Sequence, residues 1–229
     1  MSDSHFFRFP HTPHLAWLGQ GSPRDDKVLD PSRVRDFLST DVVIEEKVDG
    51  ANLGLSFELD GSLLLQNRGE WLASPRPLQF NRLDAWVSFR EQSLFDALGP
   101  KLILFGEWLA AAHSLDYQKL PDWLVGFDVF DRGENKFYDT QRRNMLLSNA
   151  AIVPVKEIAR GRFTLAELCS LLTESHSAYR DGPIEGFYLR SEADGWLTSR
   201  SKLVSKEFTQ NIGDHWRSRT VRWNRLATG

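Results

Sequence analysis

Val42-Val-Ile-Glu-Glu-Lys47-Val48-Asp49-Gly50-Ala51-Asn52-Leu-Gly-Leu-Ser-Phe57 is the stretch on which the architecture turns. Its first six residues have strand character and end in a lysine. An Asp-Gly turn follows, and a second strand begins at Ala51. Leu59-Asp60-Gly61-Ser62 reads as a hairpin turn into a third strand, Leu63-Leu-Leu-Gln-Asn-Arg68.

Upstream, Asp30-Pro31 predicts the cap and first turn of a short helix, and Pro10 to Gly21 reads as an ordered loop or arm. Downstream, Leu83, Trp86, Val87, Leu94 and Leu98 follow helical spacing. Lys101-Leu-Ile-Leu-Phe-Gly-Glu107 and Trp123-Leu-Val-Gly-Phe127-Asp-Val-Phe return to strand. A helix is predicted from Thr140 to Asn149. Thr164-Leu-Ala-Glu167 has the capping-box pattern for another, running to about Leu172. Ile184-Glu185-Gly-Phe-Tyr-Leu-Arg190 and Gly195-Trp-Leu-Thr-Ser-Arg200-Ser-Lys202 complete the strand set. Strand pairs with interspersed helices predict an α+β fold of largely antiparallel sheets.

The chain of 229 residues is 41% hydrophobic and 26% charged, values of an ordinary folded domain rather than a disordered chain. No apolar run is long enough to span a bilayer, no secretory signal opens the chain, and Cys169 is the single cysteine, so a reducing cytoplasm is expected. Cys169 itself reads as a buried thiol on a helix. The net charge of −3 excludes a globally basic nucleic-acid binder; a polyanion needs a local patch. The chain end supplies one, with Arg200, Lys202, Lys206, Arg217, Arg219, Arg222 and Arg225 interleaved with Trp216 and Trp223. Such a segment suits phosphate contact and base stacking, or else docks its tryptophans and solvates its arginines.

Glu46-Lys47-Val48-Asp49-Gly50-Ala51-Asn52 is where chemistry is expected. A lysine is a nucleophile only as the free amine, which neighbouring cations and desolvation supply by lowering its pKa. Asp49 and Asn52 are close enough in sequence to order such a site. Alone, Lys-x-Asp-Gly arises by chance in roughly one chain of this size in twenty. The set that follows in order is far more specific: Phe105-Gly-Glu107, Gly126-Phe127-Asp-Val-Phe, Glu185-Gly186-Phe-Tyr-Leu-Arg190, then Arg200-Ser-Lys202 and Lys206. Taken singly, Phe127 reads as a core residue and Arg190 as the partner of an acid; apolar neighbours and a shared Gly-flanked context weigh against reading Glu107 and Glu185 as surface acids. His11 and His14 lack the further ligands of a metal site.

Together these motifs resemble the RNA ligase branch of the covalent nucleotidyltransferases, the superfamily of DNA ligases and mRNA capping enzymes. The resemblance runs from Glu46 to about Phe208, with a less specific likeness at Phe9-Pro10-His11-Thr12-Pro13. It implies an ATP-grasp-like ligase adenylation domain over residues 1–229, with an N-terminal arm (1–30) and a basic helical segment (207–229). It implies Lys47 as the residue that takes AMP from ATP, Arg68 on the ribose or phosphates, Phe127 against adenine and Lys202 on the α-phosphate. Glu107 and Glu185 are implied to act directly or through water on Mg²⁺ or Mn²⁺. Glu46, Asp49, Asn52 and Arg200 complete the implied nucleotide-binding set. The implied partners are ATP and RNA ends or a nicked duplex.

Two features depart from the pattern. Arg200 stands where the family's closing pair usually has a lysine. About two dozen residues follow Lys206, too few for the oligonucleotide-binding barrel of DNA ligases. The sequence therefore favours an ATP-dependent RNA ligase. A DNA ligase or capping-type guanylyltransferase on the same fold is the first alternative, and a non-catalytic nucleotide or RNA-end binding module the second.

Overall fold

The computed structural model describes residues 6–21, 23, 27–211 and 221–228. In chain order the elements are α1 (Pro31–Leu38), β1 (Val42–Lys47), β2 (Ala51–Phe57), β3 (Leu63–Gln66), α2 (Leu83–Ser88), α3 (Glu91–Leu98), β4 (Leu102–Trp108), β5 (Ala111–Ala112) and β6 (Leu124–Asp131). They continue with β7 (Lys136–Phe137), α4 (Thr140–Asn149), β8 (Val153–Pro154), β9 (Glu157–Gly161), α5 (Leu165–Glu174), β10 (Gly186–Ala193), β11 (Trp196–Val204), α6 (Lys206–Asn211) and β12 (Arg222–Trp223).

Two antiparallel sheets organise the molecule. One has the order β11-β10-β1-β9. The other runs β3-β2-β4-β6-β7, with β8 added parallel to β6. The segment from Lys47 to Gly50 is the crossing from the first sheet to the second. The first sheet lays Val42, Ile44, Phe187, Leu189 and Leu203 on a core shared with Phe37 of α1 and Leu168 and Leu172 of α5. The second packs Leu53, Leu55, Phe57, Leu104, Leu124 and Val129 against the side chains of α2, α3 and α4.

Strand alternation explains what the first sheet offers on its other face. Side chains two apart on a strand, and those directly opposed across a ladder, share a face. Val43, Glu45 and Lys47 therefore share one. Tyr188 and Arg190 join them through the pairs Glu45↔Tyr188 and Val43↔Arg190. Lys202 and Arg200 follow through Tyr188↔Lys202 and Arg190↔Arg200. This polar face looks toward the second sheet.

The capping predictions match the structure. Asp30 accepts from the N–H groups of Ser32 and Arg33, and Thr164 and Glu167 close a reciprocal capping box. One helical expectation is refined and one corrected. The stretch from Leu83 to Leu98, expected to be helical, is two helices, because the apolar series lapses between Val87 and Leu94 and leaves Phe89 87% exposed at the break. Among the described residues after Lys206, the helix runs to Asn211. Residues 221–228 are extended and β12 pairs with β5, because Asn224 is buried among backbone carbonyls that it bonds. Trp216, Arg217 and Arg219 lie outside the described residues. The N-terminal arm is ordered by backbone bonds to the outer edge of β11: Lys202 N–H donates to the Pro13 carbonyl and Leu15 N–H to the Lys202 carbonyl.

Candidate active site

A cavity of about 350 Å³ opens where the two sheets meet. It is lined by Phe9, Thr12, Glu46, Lys47, Val48, Gly50, Asn52, Arg68, Glu107, Phe127, Val155, Tyr188 and Lys202. Lys47 enters it from the end of β1. Its ammonium lies 2.5 Å from Glu185 Oε1, with the lysine side chain 27% exposed and the glutamate beneath it 3% exposed. Gly50 lets the turn close over β4. A Cβ there would meet the Trp108 carbonyl oxygen at 2.6 Å and Glu107 Cγ at 3.0 Å. Gly50 N–H instead donates to Glu107 Oε1 at 3.0 Å. Gly186 plays the matching part beside Glu185, where a Cβ would collide with the Leu203 carbonyl and prevent β10 and β11 from pairing.

Phe127 reaches the cavity through a β-bulge. Phe105 pairs with Asp128 and Gly106 with Gly126, so Phe127 is the extra residue between them. A bulge re-aims its side chain and interrupts the two-residue alternation. Here it turns the Phe127 ring to the cavity, beside Tyr188 at a centroid distance of 6.2 Å, while Asp128 faces the buried interior.

Electrostatics reverse one expectation. Burial works to lower the pKa of Lys47, but the carboxylates of Glu185 and Glu107 outweigh it and hold the ammonium above its ordinary value. Burial also pushes Glu107 up to about 8 and Glu185 up to about 7, against the pull of the Lys47 ammonium. Lys47 is thus held as a paired ammonium rather than a free amine, in contact with Glu185 Oε1.

Of the residues singled out in the sequence, Lys47, Glu46, Asn52, Arg68, Glu107, Phe127 and Lys202 all line the cavity, and Glu185 sits directly behind Lys47. Two are placed differently. Asp49 Oδ2 accepts from the N–H groups of Ser114 and Leu115 at 2.7 and 3.0 Å, which turns it to the loop behind the site. Arg200 lies behind the wall formed by Tyr188. Its guanidinium is bound to Asp128 Oδ2 at 2.6 Å and covers the Phe137 ring. Its planar fork suits a carboxylate, and Asp128 supplies one from the bulge. Neither lines the cavity.

The donor set suits a divalent cation that takes few protein ligands. Glu185 Oε2 is buried with no hydrogen-bond partner, and Glu107 faces the cavity. Among the described residues no group of three or more His, Cys, Asp or Glu side chains is placed to hold a metal ion. Two carboxylates completed by phosphate and water are a normal magnesium arrangement.

The family model for RNA ligase matches residues 40–206, well over half of the sequence. The chain belongs to the RNA ligase family. Solved structures share the fold of this RNA ligase family member at low identity. A Naegleria gruberi RNA ligase variant with ATP and Mn superposes with a TM-score of 0.63 at 15% identity, over 78% of this chain and 54% of that one. An archaeal ATP-dependent RNA ligase gives 0.60 at 19%, over 90% and 50%. An Aquifex aeolicus protein described as a candidate ATP-dependent DNA ligase gives 0.57 at 18%, over 87% and 50%. This chain therefore spans about half the length of the solved ligases it matches. No curated protein matches the sequence closely enough to count as a relative. The antiparallel α+β architecture expected from the motifs is that of these ligases.

Sequence reading of this family member missed Phe9, Thr12, Val155 and Tyr188 in the cavity wall. Phe9 and Thr12 come from the arm, and only the long-range pairing of that arm with β11 places them. Tyr188 was within reach: it is two residues from Arg190, on the same strand face, and opposite Lys202.

Proposed function

We propose that this chain is an ATP-dependent RNA ligase, with residues 1–229 acting as the adenylation domain, that joins 5′-phosphate and 3′-hydroxyl ends. The observation that carries the proposal is the Lys47–Glu185 pair at 2.5 Å, set at a cavity whose other wall is the Phe127–Tyr188 aromatic pair. Glu185 Oε1 takes the proton of Lys47, whose amine then attacks the α-phosphorus of ATP. An N–P bond forms, and the bond to the pyrophosphate oxygen breaks. The AMP passes to a 5′-phosphate end, and a 3′-hydroxyl displaces it. Phe127 and Tyr188 offer a surface for adenine. Lys202 supplies a fixed positive charge to the transferring phosphate, the main catalytic demand of such chemistry. Glu107 would hold Mg²⁺ or Mn²⁺, joined by Glu185 once the proton taken from Lys47 has passed to solvent; the ion would neutralise phosphate charge when bound.

Incubation with α-labelled ATP and Mg²⁺, followed by denaturing electrophoresis, tests the proposal. Label is expected on the parent and absent from Lys47→Ala. Equal labelling from GTP would move the assignment to a capping-type transferase, and preferential sealing of an all-DNA nick would move it to a DNA ligase. The RNA substrate is proposed to be free ends or a nicked duplex, and the site of action the cytoplasm. Among the described residues no helix is long and apolar enough to cross a membrane.

A further inference from the structure

The turn that presents Lys47 is held from outside the cavity by hydrogen bonds that lead to the last described strand. Asp49 N–H donates to the Tyr117 hydroxyl at 2.8 Å. Tyr117 is buried, and its own N–H donates to Asn224 Oδ1 at 2.8 Å. The Asn224 amide also donates to the carbonyls of Leu109 and Ala111, at 2.7 and 3.3 Å. The backbone repeats the clamp: Asn224 N–H donates to the Ala110 carbonyl and Arg225 N–H to that of Tyr117. From the other side, the Tyr179 carbonyl accepts from Gln118 and Lys119. The loop behind the nucleophile is therefore fixed by three segments distant in sequence.

Asn224 is 3% exposed and uses both its acceptor and its donor. Leucine of the same size offers neither, and aspartate offers only the acceptor. Such full satisfaction of a buried amide gives one geometry rather than several. Neither Tyr117 nor Asn224 lines the cavity, so neither is placed to contact ATP.

We infer that Tyr117 and Asn224 are positioning residues for Lys47, and that the extended segment 222–226 sets the register of the nucleophile turn from outside the cavity. The inference rests on the reading of Lys47 as the acceptor of AMP. Loss of the Tyr117 hydroxyl frees the Asp49 N–H and lets the Val48–Gly50 turn drift. Attack on phosphorus is sensitive to drifts well under 1 Å. Sealing of an RNA end that already carries AMP does not use the Lys47 amine.

Tyr117→Phe tests this with one atom removed, the ring staying among Val48, Leu109, Leu120, Val125 and Tyr179. Under single-turnover conditions, adduct formation at saturating ATP should slow about tenfold. Half-saturation by ATP, the unfolding midpoint and sealing of pre-adenylated RNA should stay near parental values. Asn224→Ala should give the same split between adduct formation and sealing; if it fails to fold, Tyr117→Phe decides alone. A folded Tyr117→Phe protein with the parental adduct rate overturns the inference. So does equal loss of adduct formation and sealing, which marks a merely structural brace. A parent protein that forms no adduct sinks the functional reading itself, and this inference with it.

Discussion

Two clusters of buried charge lie where the two sheets meet, and they are built to opposite rules. In the first, Arg190 donates through Nε to Glu192, through Nη1 to Asp128 and through Nη2 to the Tyr138 carbonyl. Asp128 uses its second oxygen on Arg200, and Arg143 binds both Glu45 and the Phe127 carbonyl. Nearly every polar atom is matched, Glu45 Oε2 being the exception. In the second cluster, Lys47 has Glu185 on one side and the open cavity on the other. Glu185 Oε2 and Asn52 Oδ1 are buried without partners. Both carboxylates there have raised pKa values. The matched cluster ties the two sheets together. The unmatched one leaves capacity for a ligand, and its disfavoured charges are what a phosphate-bearing cation would relieve.

The sharpest way to break this comparison is to remove one partner from each cluster. Lys47→Ala should abolish adduct formation, by at least about 10⁴-fold, yet leave the urea midpoint close to the parent's. Glu185, already pushed up to about 7, can take a proton when its partner is gone. The same variant should still seal pre-adenylated RNA, and a folded protein that cannot do so would show that Lys47 does more than carry AMP. Asp128→Ala should do the reverse. It removes the carboxylate that Arg190 and Arg200 share and should lower stability by about 3–5 kcal/mol in urea titrations. If both variants unfold alike, the division into structural and functional clusters is wrong.

Lys202→Ala should slow both adduct formation and sealing of pre-adenylated RNA by roughly a hundredfold, equivalent to about 2.7 kcal/mol in the transition state. Parental sealing by this variant would remove Lys202 from the phosphate. A smaller effect, on the pH dependence of stability, is expected from Glu107→Gln. The folded protein holds a proton on Glu107 up to about pH 8, whereas the unfolded chain releases it near its ordinary value of 4.5. Stability of the parent is therefore greatest below about pH 4.5, as far as this group is concerned, and declines as pH rises toward 8. Glutamine should flatten that decline by on the order of 1–2 kcal/mol, read as the difference in urea midpoint between pH 5.5 and pH 8.5. A parent whose stability rises over this window would contradict the burial of an ionisable Glu107.

Local rules carried the sequence reading far. β1 and α4 run between the residues that their patterns predicted, and the Asp30 and Thr164 caps are as read. What escaped is set by contacts distant in the chain. A bulge at Phe127 leaves no mark in a two-residue alternation. The break at Phe89 shows only as a lapse in apolar spacing. The extended course of 221–228 depends on a partner strand more than a hundred residues earlier. The site followed the same division. Residues in contiguous motifs were legible, Tyr188 among them, whereas Phe9 and Thr12 needed the pairing of the arm with β11. The charge state of Lys47 was misjudged because the sequence named its carboxylates without saying how near they come.

The register Lys47↔Gly186 has a consequence for how the protein comes into being. β1 lies inside its sheet, between β9 and β10, and both are made long after it. During synthesis the Val42-Val-Ile strand must therefore wait, unpaired and apolar, until nearly the whole sheet has left the ribosome. Pairings of such sequence separation close slowly, and an unpaired strand of this kind is the segment most exposed to self-association. Glu45, Glu46 and Lys47 place three charges immediately after that apolar run. The same residues that later pair with Arg143, bond Ser177 and face the cavity thus guard the nascent chain against aggregation before any cavity exists.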